Sequence, residues 1–419
     1  MRTSRPHSTL LNFTATVPSY PVRISAYTAV SALGDGKAAM ASAIEQGSSG
    51  LSPIGPHDFG HAPMAEPLLT WIGRVHGLDQ PLPEPWSHWD CRNNRLAWRG
   101  LQADQMAKQV HAAVKRHGAD RVALVLGTST ASIGATEDAY AVLESSGVFP
   151  TQPNNPALHS LHSLTGFVQE ALELSGPVLT ISTACSSSAK AFAAAERLLR
   201  LGLADAALVG GVDSLCGSVL FGFHALQLVS PQPCRPFDVA RSGINIGEAA
   251  CFVLLERGTG ALQLLGVGES SDAHHLSAPE PNGASAQAAL EQALARAGLS
   301  AGDIDFVHLH GTATPKNDEV EARLLARCFA PNVPAASTKG MTGHTLGAAG
   351  ALGAVFCLLA LEHGVLPGTV NTLAPESGIA DRLLLAPRHQ QVQRLVSHAF
   401  AFGGSNSVLV FGGQHAGLP

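Results

Sequence analysis

Ile181-Ser182-Thr183-Ala184-Cys185-Ser186-Ser187-Ser188 stands between two segments of different period. Before it, Pro177-Val178-Leu179-Thr180-Ile181 is a short apolar run that reads as a buried strand, and after it the alanine-rich segment 189–201 has helical periodicity. The chain therefore passes from strand to helix at Cys185. A thiol at a helix start sits beside free backbone N–H groups and the positive end of the helix dipole, which favours thiolate. The same residue reads equally well as a small buried side chain at a tight packing point, since free cysteine is among the most buried residue types.

With 419 residues the chain holds either two domains or one fold made of two similar halves. A net charge of -6 and 14% charged residues describe a mildly acidic, enzyme-like protein and not a nucleic-acid binder, which would carry a basic stripe. Its seven cysteines are scattered and odd in number, without metal-type pairing, so reduced thiols in a cytoplasmic protein are expected. The first twenty residues lack a continuous apolar stretch, and no secretion signal is read there. The uncharged run 345–361 approaches the length of a membrane span, about 20 residues. Its glycines and alanines instead suit a buried helix, and no membrane span is expected.

Working outward from Cys185, residues 1–21 form an irregular N-terminal extension, followed by a strand over 22–30 and a helix over 37–46. The proline-, tryptophan- and histidine-rich stretch 51–90 has no clear period and reads as a surface excursion. A helix over 95–116, a strand over 121–126, helices near 137–145 and 161–174, and strands over 206–209 and 248–256 complete a first cycle. A second cycle begins at Ala261: strand 262–267, helix 285–297 stopped by Gly298, strand 306–309, helix 318–328, a turn over 339–344, the apolar helix, and strands 395–400 and 407–411. This alternation argues for a layered α/β fold. The cycles echo one another, since Cys185 opens an apolar helix in the first and His344 opens one in the second, so halves 22–257 and 258–419 are expected.

The second half also supplies partners for the thiol. Leu309-His310-Gly311-Thr312-Ala313-Thr314-Pro315 ends an apolar strand on a histidine, and Ser337-Thr338-Lys339-Gly340-Met341-Thr342-Gly343-His344 sets another among small residues. Among 19 histidines, either alone reads more readily as a satisfied core residue than as a catalyst. Together with Cys185 they make a set. His274-His275 has no further ligands at metal spacing, so no metal site is read there. Glu248 and Arg241 read as an ordinary surface ion pair.

At this point the sequence resembles the β-ketoacyl-acyl-carrier-protein synthases, elongating condensing enzymes of the thiolase superfamily. The motifs that carry the resemblance occur in the family's order: STACSSS around Cys185, CRPFDVARSG at 234–243, ESSDAHHLSAPEP at 269–281, AGLSAGDIDFVHLHGTATPKNDEVE ending at Glu321, STKGMTGHTLGAAGA at 337–351 and AFAFGGSNSVLVF at 399–411. The resemblance implies a five-layered αβαβα thiolase-like fold working as a dimer, with itself or with a related subunit. It also implies an acyl carrier protein as partner, and no cofactor beyond the phosphopantetheine that carries the substrates.

By the same motifs, Cys185 is similar to the family's acyl-accepting nucleophile, and His310 and His344 to its two active-site histidines. Lys339 matches a lysine of the same polar network, or it pairs structurally with Asp318 or Glu321, the acids that follow the HGT motif. Phe402 resembles the gating phenylalanine whose N–H joins that of Cys185 in an oxyanion hole. The activity so implied is decarboxylating Claisen condensation of an acyl thioester with malonyl carrier protein, in fatty-acid or specialised polyene or polyketide synthesis. The chain departs from the common pattern at Gly243-Ile244-Asn245-Ile246-Gly247, at Ala401, at Gln227 and at Lys316-Asn317. A non-catalytic chain-length-factor-like subunit, a degradative thiolase and a cysteine hydrolase are the alternatives.

Overall fold

The computed structural model describes residues 21–55, 68–150 and 155–413. The expected N-terminal extension lies outside the described residues apart from Pro21, as does 56–67 of the surface excursion. In the first half, strands β1 Val22–Ser31, β2 Val122–Gly127, β3 Val178–Ile181, β4 Ala206–Asp213 and β5 Ala249–Arg257 lie in the order β3-β2-β4-β5-β1. In the second, β6 Leu262–Ser271, β7 Phe306–His308, β8 Ala335–Ala336, β9 Arg394–Ala401 and β10 Ser405–Gly413 lie in the order β8-β7-β9-β10-β6. Each set runs parallel through its first three strands and antiparallel thereafter. One topology is thus used twice. The two sets join where β1 pairs antiparallel with β6, Val22 opposite Leu264.

The helices are α1 Gly36–Gln46, α2 Arg92–Gln102, α3 Met106–His117, α4 Ile133–Ser146, α5 Ser163–Ala171, α6 Ser187–Arg200, α7 Gly217–Ala225, α8 Ala284–Ala297, α9 Pro315–Cys328, α10 Lys339–Thr342 and α11 Ala349–His363. Helices α2, α3 and α5 cover the outer face of the first strand set, and α8 and α9 that of the second. Between the sets lie α6 and α11, packed on each other within the largest apolar core. This is the five-layered αβαβα arrangement. The apolar run expected as a buried helix is α11, and 83% of residues 346–363 are buried.

Three local readings differ from the structure. The helix expected over 95–116 breaks at Asp104 and Gln105, whose φ values are 49° and 57°. There the Asp104 carboxylate accepts hydrogen bonds from Thr28 Oγ1 and the Lys37 N–H, both at 2.8 Å, so a tertiary contact overrides helical continuity. Within 51–90, short strands Leu51–Pro53 and Trp71–Gly73 pair with each other, and the second also pairs with Ile246–Gly247. Helix α7 went unread because its N-terminus is capped from afar: the Glu137 carboxylate of α4 accepts from Gly217 N at 3.0 Å and Ser218 N at 2.6 Å.

Strand β2 lies so close to α6 that a Cβ on Gly127 would fall 2.3 Å from the Ser188 nitrogen. Gly127→Ala should therefore cost about 2–3 kcal/mol of stability through backbone displacement, read as a lowered urea midpoint. An unaltered midpoint would contradict the packing described.

Candidate active site

The two central helices meet at their N-terminal ends. Ser188 Oγ, in the first turn of α6, accepts the Ala351 N–H of α11 at 2.8 Å, and a Cβ on Gly350 would lie 2.6 Å from the Ala189 nitrogen. Only glycine permits that approach. The residues preceding each helix are thereby brought to one place.

On the α6 side, the turn holding Cys185 is strained and stapled. Ala184 has a left-handed φ of 51°. The Ser187 hydroxyl accepts the Thr183 N–H at 2.9 Å and donates to the Ala184 carbonyl at 2.5 Å, while Ser186 Oγ donates to Thr183 O at 2.9 Å. Cys185 is thus fixed at the head of the helix with 6% of its surface exposed. The N–H groups of Cys185 and Phe402, which come from different halves of the chain, lie close enough to its sulfur to favour the thiolate.

On the α11 side, His344 donates its N–H to Asn245 O at 2.7 Å and accepts the Gly247 N–H at its carbonyl. Its Nδ1 accepts the Leu346 N–H at 3.1 Å, which leaves the proton of the neutral ring on Nε2. His310 follows β7, and the Glu321 carboxylate accepts the N–H groups of His310 and Gly311, each at 2.7 Å. Lys339 Nζ donates to the His310 carbonyl and lies 3.5 Å from His310 Nδ1, so this ring too carries its proton on Nε2. The two imidazoles stand edge to face, with centroids 5.5 Å apart.

Cys185, His310, His344 and Phe402 line one cavity of about 330 Å³. It runs from exposed Leu226, Pro315 and Lys316 to the buried thiol and imidazoles. Left-handed backbone at Gly311 (φ 39°) and Ala313 (φ 64°) lets alternate residues His310, Thr312 and Thr314 all reach this cavity. The Thr312 and Thr314 hydroxyls are 2.8 Å apart, a polar rail on an otherwise apolar wall. Phe402 packs on Phe223 of α7 at 5.5 Å.

Burial sets the electrostatics. It holds His310 and His344 well below the usual imidazole range, helped by the nearby Lys339 cation, so both are neutral N–H donors at physiological pH. Burial also draws Lys339 down, opposed by Glu321, Cys185 and Asp318. The expectation of a thiolate at Cys185 is overturned. Burial pushes the thiol up to about 11, and Lys339 with the Cys185 and Phe402 N–H groups only partly offsets it.

Lys339, Asp318 and Glu321 stand behind the cavity and not on it. Asp318 accepts the Phe237 N–H at 2.8 Å, with Arg241 Nε at 3.7 Å, and burial raises its carboxyl to about 7. The structural pairing of Lys339 with Asp318 or Glu321 does not form within 4 Å among the described ion pairs, because the ammonium turns to the His310 carbonyl. Nor do Glu248 and Arg241 pair at the surface. Glu248 is buried against Arg92 at 2.6 Å, and Arg241 binds Glu376 at 2.5 Å. Two positioning residues were not read in the sequence. Buried Asp213 accepts Thr128 Oγ1, the Ser129 and Thr130 N–H groups and, at 2.6 Å, the Gly347 N–H, tying β4 to the segment after His344. Asn245, whose carbonyl holds His344, is anchored by Cys234 N at 2.6 Å. Their partners lie 83 to 134 residues away for Asp213, so no local pattern marks it.

Comparison with known proteins is consistent along the chain. Residues 97–261 match the family described as beta-ketoacyl synthase, N-terminal domain, and 262–373 match beta-ketoacyl synthase, C-terminal domain. Nodulation protein E of Rhizobium meliloti (strain 1021) is 35% identical over 324 residues, covering 74% of this chain and 80% of that protein. The mitochondrial 3-oxoacyl-[acyl-carrier-protein] synthase of Arabidopsis thaliana is 36% identical over 270 residues, 59% of each chain. A chain in the complex of the ketosynthase ApeO with its chain length factor ApeC from Xenorhabdus doucetiae superposes with a TM-score of 0.84 at 36% identity, covering 94% of this chain and 98% of that one.

The raised thiol at Cys185 makes a direct forecast. Its alkylation by iodoacetamide, followed by peptide mass spectrometry, should quicken about tenfold per pH unit between pH 8 and 10. Lys339→Met removes the main cationic support of the thiolate and should slow the reaction at each pH. A rate that levels off below pH 8 would show that the thiolate already dominates.

Proposed function

The chain belongs to the β-ketoacyl synthase family, and on that premise we propose that it is a catalytic ketosynthase joining an acyl group on Cys185 to a malonyl unit borne by an acyl carrier protein. The observation that carries this reading is the meeting of one thiol, two converging N–H donors and two neutral imidazole donors on a single cavity. In the first half-reaction, Cys185 sulfur attacks the acyl thioester carbonyl. The N–H groups of Cys185 and Phe402 stabilise the tetrahedral oxyanion. Its collapse leaves the acyl group on Cys185, and the thiol proton passes to the departing pantetheine sulfur.

In the second half-reaction, the malonyl carbon–carboxylate bond breaks to release CO2, and its electron pair becomes the enolate of an acetyl thioester. The Nε2–H groups of His310 and His344 donate to the enolate oxygen. Neutral donors suit that task, since an imidazolium would instead bind the starting carboxylate. The enolate carbon then attacks the Cys185 thioester, forming the β-keto product, and the released sulfur regains a proton. The thioesters supply the activation, so this chemistry calls for no metal or organic cofactor. The Thr312 and Thr314 hydroxyls are placed to hydrogen-bond the amide-bearing arm that delivers each thioester.

A chain-length-factor-like role is the alternative, and the intact Cys185 with both imidazoles weighs against it. The proposal includes a dimer, with a second copy or a related subunit, across the free edge of β3. Exposed Leu179 on that strand, Tyr140 on α4, Phe149 just after it, and Leu161 supply the apolar surface. Leu179→Asp should shift the mass found by light scattering to that of one chain.

Intact-protein mass spectrometry with a panel of acyl carrier thioesters tests the chemistry. Cys185→Ala should abolish acyl loading altogether. His344→Ala should still load but lose about 10²–10³-fold in condensation. Normal condensation by the His344 variant, or no acyl mass on the wild-type protein from any donor, would overturn the proposed mechanism.

A further inference from the structure

His398 and Phe400 lie two residues apart on β9 and so project from the same side of the strand. The His398 side chain is fully buried, with Nδ1 3.0 Å from Glu321 Oε1 and no hydrogen-bond partner for Nε2 among the described residues. That Glu321 oxygen also receives the His310 N–H, and the other oxygen receives those of Gly311 at 2.7 Å and of Asn317 Nδ2 at 3.4 Å. Among the described ion pairs, His398 is the basic group in contact with Glu321. On its other side the His398 ring lies 5.0 Å from Phe400, which lines the cavity and sits 6.0 Å from His310. His398 therefore reaches His310 by two routes, through Glu321 to its backbone and through Phe400 to its ring.

A ring nitrogen buried without a partner among the described residues is a local cost, which a phenylalanine filling the same space would not incur. Packing alone gives no reason for an imidazole here. We propose that His398 is a positioning residue for His310: its Nδ1–H holds the Glu321 carboxylate where it grips the His310–Gly311 turn, and its ring backs Phe400 against the His310 imidazole. Without that donor, the Glu321 oxygen that grips the His310 N–H loses one of its two partners, and the carboxylate can shift toward the Lys339 ammonium, whose charge it favours. Lys339 would then leave the His310 carbonyl and Nδ1, and the Nε2–H that faces the cavity would lose its aim. The inference rests on the ketosynthase reading and concerns its decarboxylation step. No contact connects His398 to Cys185 or to the Phe402 N–H among the described hydrogen bonds.

The experiment compares two single-turnover rates in the full-length protein: acyl transfer to Cys185, read by mass, and CO2 release from a malonyl carrier thioester. His398→Phe keeps a ring and loses the donor, and should lower the ratio of decarboxylation to acylation about 10- to 100-fold. His398→Asn sets an amide nitrogen at the Nδ1 position and should recover most of that ratio. An unchanged ratio in the Phe variant, or both rates falling together with no recovery by Asn, overturns the proposal. Should the Phe variant not fold, His398→Gln carries its amide one bond further out, and a ratio equal to that of His398→Asn overturns it as well. Wild-type protein that performs neither half-reaction would sink the ketosynthase reading and this proposal with it.

Discussion

The contact between the first turns of α6 and α11 is the constraint on which the rest depends. One hydrogen bond from Ala351 to the Ser188 hydroxyl, and a glycine at 350 that lets the helices touch, bring together segments about 160 residues apart. Cys185 precedes one helix by two residues and His344 precedes the other by five. With both N-termini in register, the thiol and imidazole need only short, stiff turns to meet. The backbone supplies them: Ala184 and Leu346 both adopt left-handed φ values, 51° and 53°. The repeated strand order on either side makes this central contact a pseudo-symmetric one, the two halves offering the same kind of helix to each other.

Around that contact the polar groups are arranged so that charge is kept off the cavity wall and held behind it. His310 and His344 are neutral because burial and the nearby Lys339 cation both disfavour a charged ring, and each has its Nδ1 engaged so that Nε2–H remains. Glu321, Asp318 and Lys339 lie one layer back and act through backbone N–H and C=O groups. Such an arrangement stabilises an oxyanion without attracting a resting anion, because aligned neutral dipoles cost little reorganisation when charge develops. The thiol follows the same rule. Desolvation at Cys185, with the Asp213 charge, exceeds the combined pull of two N–H groups and Lys339, so the thiol is held above its usual range.

Much of the fold was legible because its elements obey simple periods. The helix after Cys185, the apolar helix α11 and the two closing strands were each read within a few residues of their ends, whereas the strand before Cys185 has the expected bounds but is a partly exposed sheet edge and not the buried strand expected. The other misreadings share one cause. The break at Asp104, the cap on α7 by Glu137 and the burial of Glu248 against Arg92 all depend on hydrogen bonds between residues 67 to 156 positions apart. A window of sequence contains none of that information.

The amino-acid sequence by itself determined the family and the layered α/β class and singled out Cys185, His310 and His344 as a candidate set, because long motifs and hydrophobic periods are local and survive without coordinates. Only the tertiary structure decided which nitrogen of each imidazole carries its proton, that Lys339 turns to a carbonyl and not to a carboxylate, and that Cys185 rests as a thiol. Those properties follow from desolvation and from partners brought by distant segments. They come into being when the two halves close on each other.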